Sequence, residues 1–306
     1  MSICEDFFSS NPQPTNYDIL SNKIKDFCQL HKHDKVVLIT SGGTAVPLER
    51  HTVRSLENFS QGTRGSSSAE YFLKSGYAVI FLYRLKSLEP FTRHFSDINI
   101  FDWLVVDNEN ESSQIKVGSQ YVSTLLPILK KYKEVMNSGK LLSIPYISLS
   151  DYLWLLRAAC NALSSLNGKA LLYLAAAVSD FYIPLDKMPT HKIQSDNGAP
   201  NISLHLVPKI LEPLVHSWVP NAYVVSFKLE TNTSLLHSKA RRALEKYHHK
   251  MVIGNILQTR KYQVIIVTEN EDYDIVLSEE EKVQNVEIES KIVEYLCKKH
   301  DLFLNS

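Results

Sequence analysis

Between Ser41 and Gly65 the chain reads SGGTAVPLERHTVRSLENFSQGTRG, a stretch that concentrates groups suited to an anion. Gly42 and Gly43 open it, Gly62 and Gly65 close it, and Arg50, Arg54, Asn58, Ser60 and Arg64 lie between. Glycine lets a backbone approach a ligand closely, and the free N–H groups of a following helix attract phosphate. The bland alternative is a glycine-bearing surface loop. Length decides against it: structureless crossovers this long in compact domains are usually functional or disordered, and clear strand and helix patterns on both flanks argue against disorder. Two standard phosphate motifs are excluded. The only Gly-Lys pairs, Gly139-Lys140 and Gly168-Lys169, are followed by Leu141 and Ala170 rather than Ser or Thr, and Gly42-Gly43-Thr44 breaks the GxGxxG spacing.

Further candidates lie where apolar runs end. Ala175-Ala176-Ala177-Val178-Ser179-Asp180 follows one such run; small residues there allow close ligand approach, and Asp180 either accepts from a substrate hydroxyl or caps a turn. Phe227 and Asn255 end two more runs, where an aromatic face and an amide suit a nucleobase. Lys192 sits in a segment broken by Pro184, Pro189, Gly198 and Pro200, so it is either a mobile active-site cation or a solvated surface lysine. Cys4, Cys28, Cys160 and Cys297 form no CxxC pair and read as packing residues rather than ligands.

The elements that must position these groups alternate. Val36–Thr40, Ala78–Tyr83, Leu141–Ile147, Ala170–Ala175, Tyr223–Phe227 and Met251–Ile253 are short, β-branched or apolar runs with strand character. Amphipathic helical patterns separate them: Tyr17–Leu30, Ser66–Lys74, Tyr121–Val135, Ser150–Leu163 and Ser234–Tyr247. Val264–Thr268 with Ile275–Leu277 reads as a terminal hairpin, Ile202–Val207 as an edge strand, and Val286–Leu296 as a closing helix. This order predicts one α/β domain over residues 1–306, a Rossmann-like doubly wound, mostly parallel sheet flanked by helices, with a small extra strand and flap region. Residues 1–15 read as a surface arm and 183–201 as an active-site flap. In such sheets ligands bind beyond the carboxyl ends of the strands.

Composition narrows the class. Lys plus Arg and Asp plus Glu balance at 33 each, which gives no general attraction to nucleic acid or to an anionic membrane. The longest apolar run, Ala170–Val178, is far too short for a membrane span, and Glu5 and Asp6 stand where a signal peptide would carry positive charge. A soluble enzyme with a local basic site is expected.

Six segments, SGGTAVPLE (41–49), VRSLENFSQGTRG (53–65), AAAVSDFY (175–182), HKIQS (191–195), SFKLET (226–231) and GNIL (254–257), closely resemble phosphopantothenate–cysteine ligases of the eukaryotic type. The likeness covers nearly the whole chain after its first fifteen or so residues, in the same order. It implies an ATP-using ligase of coenzyme A synthesis, with CTP the alternative nucleotide and Mg²⁺ accompanying the triphosphate. Such an enzyme joins L-cysteine to 4′-phosphopantothenate through an acyl-nucleotide. It further implies a cytoplasmic homodimer, the nucleus being a second compartment, with other enzymes of the pathway as partners.

By motif, Gly42, Ser60, Gly62, Gly65, Phe227 and Asn255 would hold the nucleotide. Asn58, Ala176, Ala177 and Asp180 would hold phosphopantothenate, with Arg54 supplied by the neighbouring subunit. Lys192 and Lys228 would neutralise phosphate charge, and Asn58 would also donate to the acyl oxygen. The chain departs from bacterial relatives in having fewer lysines around His191-Lys192-Ile193-Gln194, and no carboxylate cluster marks a metal. One rival is a nicotinamide-dependent oxidoreductase, whose Tyr-x-x-x-Lys pair occurs only as Tyr295 and Lys299 in the last helix. The other is a non-catalytic homologue that binds a partner.

Overall fold

The computed structural model describes residues 3–107 and 113–305. Eight strands form the central sheet: β1 (Val36–Ser41), β2 (Ala78–Arg84), β3 (Leu141–Tyr146), β4 (Ala170–Leu174), β5 (Tyr223–Glu230), β6 (Met251–Ile256), β7 (Gln263–Val267) and β8 (Asp272–Val276). Their spatial order is 3-2-1-4-5-6-7-8. The first six are parallel, and β7 and β8 add antiparallel at one edge. This is the doubly wound order, and its direction reverses between β1 and β4.

Burial explains the unbroken apolar runs. Val36 and Leu38 face a core shared with α2 (Tyr17–Leu30) and α5 (Leu149–Leu163). Val37 and Ile39, on the other face, meet α3 (Thr63–Lys74) and α6 (Ile288–Leu304). Because strand side chains alternate faces, a sheet covered on both sides needs apolar residues at every position. Ser148 and Asp151 form a reciprocal cap at the start of α5, each side chain bonding the other's backbone N–H.

Several expectations change. Residues 3–10 form helix α1 (Ile3–Ser10) rather than a surface arm, with Phe7 and Phe8 buried against Tyr182, Trp154 and Trp218. Each ring is worth roughly 1.5–3 kcal/mol when removed from water, enough to hold so short a helix in place. Met1 and Ser2 lie outside the described residues. Helix α3 starts at Thr63, so Gly65 is inside the helix and not in the loop before it. The 41–65 crossover contains its own hairpin, Ala45–Pro47 against Ser55–Glu57. The expected edge strand shrinks to His205–Leu206, which pairs with Phe181–Tyr182 and not with the main sheet.

A second hairpin, Leu104–Asp107 with Gln114–Val117, leads into α4 (Ser119–Ser138). No residue of α4 is buried; Ile128, Tyr132 and Val135 cover the core only in part, and Val122, Leu126 and Leu129 are exposed.

Candidate functional site

A crevice of about 630 Å³ opens at the carboxyl ends of β4, β5 and β6, beside the point where the strand order reverses. Its floor is pinned by backbone. Gly43 bridges Ala177 in parallel, Ala177 donates to the Gly42 carbonyl at 2.8 Å, and Thr44 donates to the Ala177 carbonyl at 3.0 Å. Two threonine hydroxyls finish the join: Thr40 accepts from the Ala176 N–H at 3.1 Å, and Thr44 from that of Ser179 at 2.9 Å. A Cβ on Gly43 would stand 1.8 Å from the Asn58 carbonyl oxygen, so only glycine lets the returning chain cross here. That crossing sets Asn58 at the mouth.

Gly62, at φ +84°, takes the left-handed turn that starts α3. Its carbonyl accepts from Ser41 at 3.1 Å and Ser66 at 2.9 Å. The first N–H groups of α3 have no intrahelical partners, and they stand beside Ser60 and Gly62 on the crevice wall. A partial positive charge there suits an anion.

The same wall continues into β5 and β6. Phe227 packs edge-on against Tyr173, ring centres 4.8 Å apart. Behind it Ser226 contacts His249 Nε2 at 2.7 Å. Burial lowers the His249 pKa to about 4, so the imidazole is neutral, and its buried Nδ1 has no partner. With nothing to orient the ring, this contact lacks the third member of a nucleophilic triad and acts as a wall contact. Asn255 accepts from Arg64 Nη2 at 3.1 Å, and Arg64 Nη1 donates to Glu289 at 2.7 Å. Burial raises the Glu289 pKa, and the Arg64 charge opposes that rise.

The crevice therefore gathers Asn58, Ser60, Gly62, Ala176, Ala177, Asp180, Phe227, Lys228 and Asn255 from segments far apart in sequence. Gly42 and Gly65 do not line it. Gly65 packs on Ser41, where a Cβ would meet the hydroxyl at 2.4 Å. Arg54 and Lys192 also lie off the lining. Arg54 donates to Glu49 at 3.2 Å and to the Ile193 carbonyl at 3.1 Å. Glu49 is fully buried. Burial raises its pKa, but bonds from the Arg54, Val53 and Ile193 N–H groups bring it below the usual range.

Sequence reading gave Arg64 only as a group able to hold charge, and missed Lys209 and Arg260 as crevice cations. Lys209 pairs with Asp180 at 3.1 Å, across 29 residues of sequence that carry no shared pattern. Tyr295 and Lys299, the pair an oxidoreductase would need, both bind Glu271 and do not line the crevice.

Topology and site define a class: a doubly wound α/β protein with a polar ligand crevice at its switch point. The family profile described as DNA/pantothenate metabolism flavoprotein C-terminal domain matches residues 157–295. Phosphopantothenate–cysteine ligase of Mus musculus is 47% identical over 274 residues, 88% of either chain. The ligase CAB2 of Saccharomyces cerevisiae is 43% identical over 322 aligned positions, 97% of this chain and 86% of the other. A solved Cab2 mutant superposes with a TM-score of 0.90 at 41% identity, covering 99% and 98% of the two chains. Another, in complex with phosphopantothenate-cysteine, superposes at 0.89 with 41% identity and 98% of each chain covered. The chain belongs to the phosphopantothenate–cysteine ligase family.

Proposed function

We propose that this protein ligates L-cysteine to 4′-phosphopantothenate in coenzyme A biosynthesis, using ATP, with CTP the alternative, and passing through an acyl-nucleotide. The observation that carries this reading is the joining of two motif sets in one crevice. The α3 start with Ser60, Phe227 and Asn255 forms one wall, and Asn58, Ala176, Ala177 and Asp180 form the floor and the other side. On this reading the carboxylate of phosphopantothenate attacks the α-phosphorus, the bond to the β-phosphate oxygen breaks, and pyrophosphate leaves. The cysteine amine then attacks the acyl carbon, loses a proton, and displaces the nucleoside monophosphate.

No protein nucleophile is needed; positioning and charge neutralisation supply the rate. The α3 N–H groups and Ser60 hold phosphate; Gly62 makes the turn that presents them, and Gly42 and Gly65 act from behind by letting the backbone pack closely on Arg84 and Ser41. Phe227 stacks on the base. Asn58 donates to the acyl oxygen as negative charge develops. Lys228 is half-exposed beside Glu230 at 3.8 Å and can turn to a phosphate. Lys192, on segment 183–201, closes over the site as a flap. Mg²⁺ arrives with the triphosphate: among the described residues no group of three His, Cys, Asp or Glu side chains is placed to hold it.

A homodimer completes the site, with Arg54 reaching into the partner's crevice. The exposed apolar residues Val106, Ile115, Val122 and Leu126 give a second copy of the chain something to cover. Among the described residues no helix is long and apolar enough to cross a membrane. The proposed place of work is the cytoplasm, with the nucleus as a second compartment.

Pyrophosphate release with phosphopantothenate, measured with ATP or CTP and with or without cysteine, tests the reading. Release that depends on phosphopantothenate, and ligated product only when cysteine is present, is the expected result. No release with either nucleotide, from folded protein with Mg²⁺, defeats it.

A further inference from the structure

Arg64 joins three parts of the chain around one carboxamide. From the second position of α3 its Nη1 donates to Glu289 at 2.7 Å. Both hydrogens of Nη2 are committed, one to Asn255 Oδ1 at 3.1 Å and one to the Arg260 carbonyl at 2.6 Å. Arg64 and Glu289 are 15% and 10% exposed, so the ion pair is largely shielded from water. Breaking such a pair would leave a charge without its partner, and the guanidinium is correspondingly fixed.

A guanidinium only donates, so the amide atom facing it must be the oxygen. On the other side the Lys228 carbonyl, which only accepts, lies 3.4 Å from the amide nitrogen. The two neighbours force the same orientation. That single long bond leaves one amide hydrogen unused, on a residue that is 6% exposed and lines the crevice beside Phe227. A free carboxamide can turn over to match either a donor or an acceptor. This one can offer only a donor.

We propose that Arg64, held by Glu289, is a positioning residue that locks Asn255 as a hydrogen-bond donor toward the nucleobase. The crevice thereby selects bases whose pairing edge presents a bare ring nitrogen. This rests on the crevice being the nucleotide site. Adenine N1 and cytosine N3 are such acceptors; guanine N1 and uracil N3 carry hydrogen and would face the amide donor to donor. Leaving a shielded polar group unpaired costs far more than losing an ordinary contact, so the choice of base is sensitive to this one orientation.

The test is a set of Michaelis constants for ATP, CTP, GTP and UTP with the native enzyme and with Arg64→Lys. Lysine keeps a cation beside Glu289 but lacks the planar fork that holds Glu289 and Asn255 from two separate nitrogens. The native enzyme should prefer ATP and CTP over GTP and UTP by about tenfold or more in KM. In Arg64→Lys that preference should collapse through a rise in KM for ATP and CTP, with kcat within about twofold of native. Glu289→Gln, which weakens the hold on Arg64, should move the ratio the same way and serves if the lysine variant does not fold. Equal loss of kcat for all four nucleotides with the preference intact would mean a structural role only and would overturn the inference. So would a native enzyme indifferent to the base. Calorimetric titration of native protein with ATP separates the two levels: failure to bind any nucleotide defeats the site assignment, whereas binding with an unmoved base preference in both variants defeats this inference alone.

Discussion

Arg64 on the crevice wall and Arg54 off its lining are held in opposite ways. Arg64 is 15% exposed and satisfied by Glu289, Asn255 and Arg260 on elements brought in from the far end of the chain. Arg54 is 40% exposed, off the crevice lining, and tied to Glu49 and Ile193 of its own hairpin and of the segment carrying Lys192. The α3 wall is thus finished within one chain, while the hairpin side keeps its cations outward. A shielded charge network is tolerated only when every member is satisfied, whereas exposed ion pairs add little stability. Arg54 balances the buried Glu49 carboxylate yet stays 40% exposed, which leaves it open to the second role proposed above, in a partner's site.

Hybrid dimers would break this contrast most directly. Arg54→Ala and Asn58→Ala chains should each lose about 100-fold or more in turnover. Mixed one to one they should recover roughly a quarter of native activity, because half the dimers are mixed and each carries one intact site. No recovery in verified heterodimers would return Arg54 to its own chain.

The finished wall should also leave a mark on the acid limb of stability. The folded His249 pKa, about 4, lies below its ordinary value of 6.5. The unfolded chain therefore binds the extra proton first, and stability falls as pH drops from about 6.5 toward 4, by an amount on the order of 3 kcal/mol. Chemical denaturation of His249→Gln across that window should be flatter than native; an unchanged slope would remove His249 as the cause.

Phe227→Ala should raise the nucleotide KM about tenfold or more, the scale of a lost base stack, and leave the melting temperature within a few degrees of native. A change confined to kcat would contradict the stacking role. The smallest global effect belongs to the hairpin. Glu49→Gln should lower the melting temperature by a few degrees and speed amide exchange at Val53, Arg54 and Ile193, which it receives at 3.3, 3.1 and 3.5 Å. Exchange unaltered at those three positions would show that the hairpin and the 183–201 segment are held by something else.

The sheet was legible from sequence because each central strand is covered on both faces and so must be continuously apolar. Phe7 and Phe8 were not, since two aromatic residues in a polar stretch form no period, and it is Tyr182, Trp154 and Trp218 across the fold that give them a place. Nine of the expected site residues line the crevice, because their motifs end strands or begin a helix at the switch point. The orientation of Asn255 was out of reach: it depends on Arg64, 191 residues away. No local signal carries such a constraint.

Glu289 and Arg64 stand 225 residues apart, which has a meaning for how the molecule is made. A chain leaving the ribosome presents α3 and the glycine turns early, but Asn255 cannot be locked until α6 has been synthesised and docked. Contacts of such long range close slowly, after most of the sheet has formed. Nucleotide binding at this wall would then favour only the completed chain, so the co-substrate would act as the last stabiliser of maturation and draw late intermediates toward the native state by mass action.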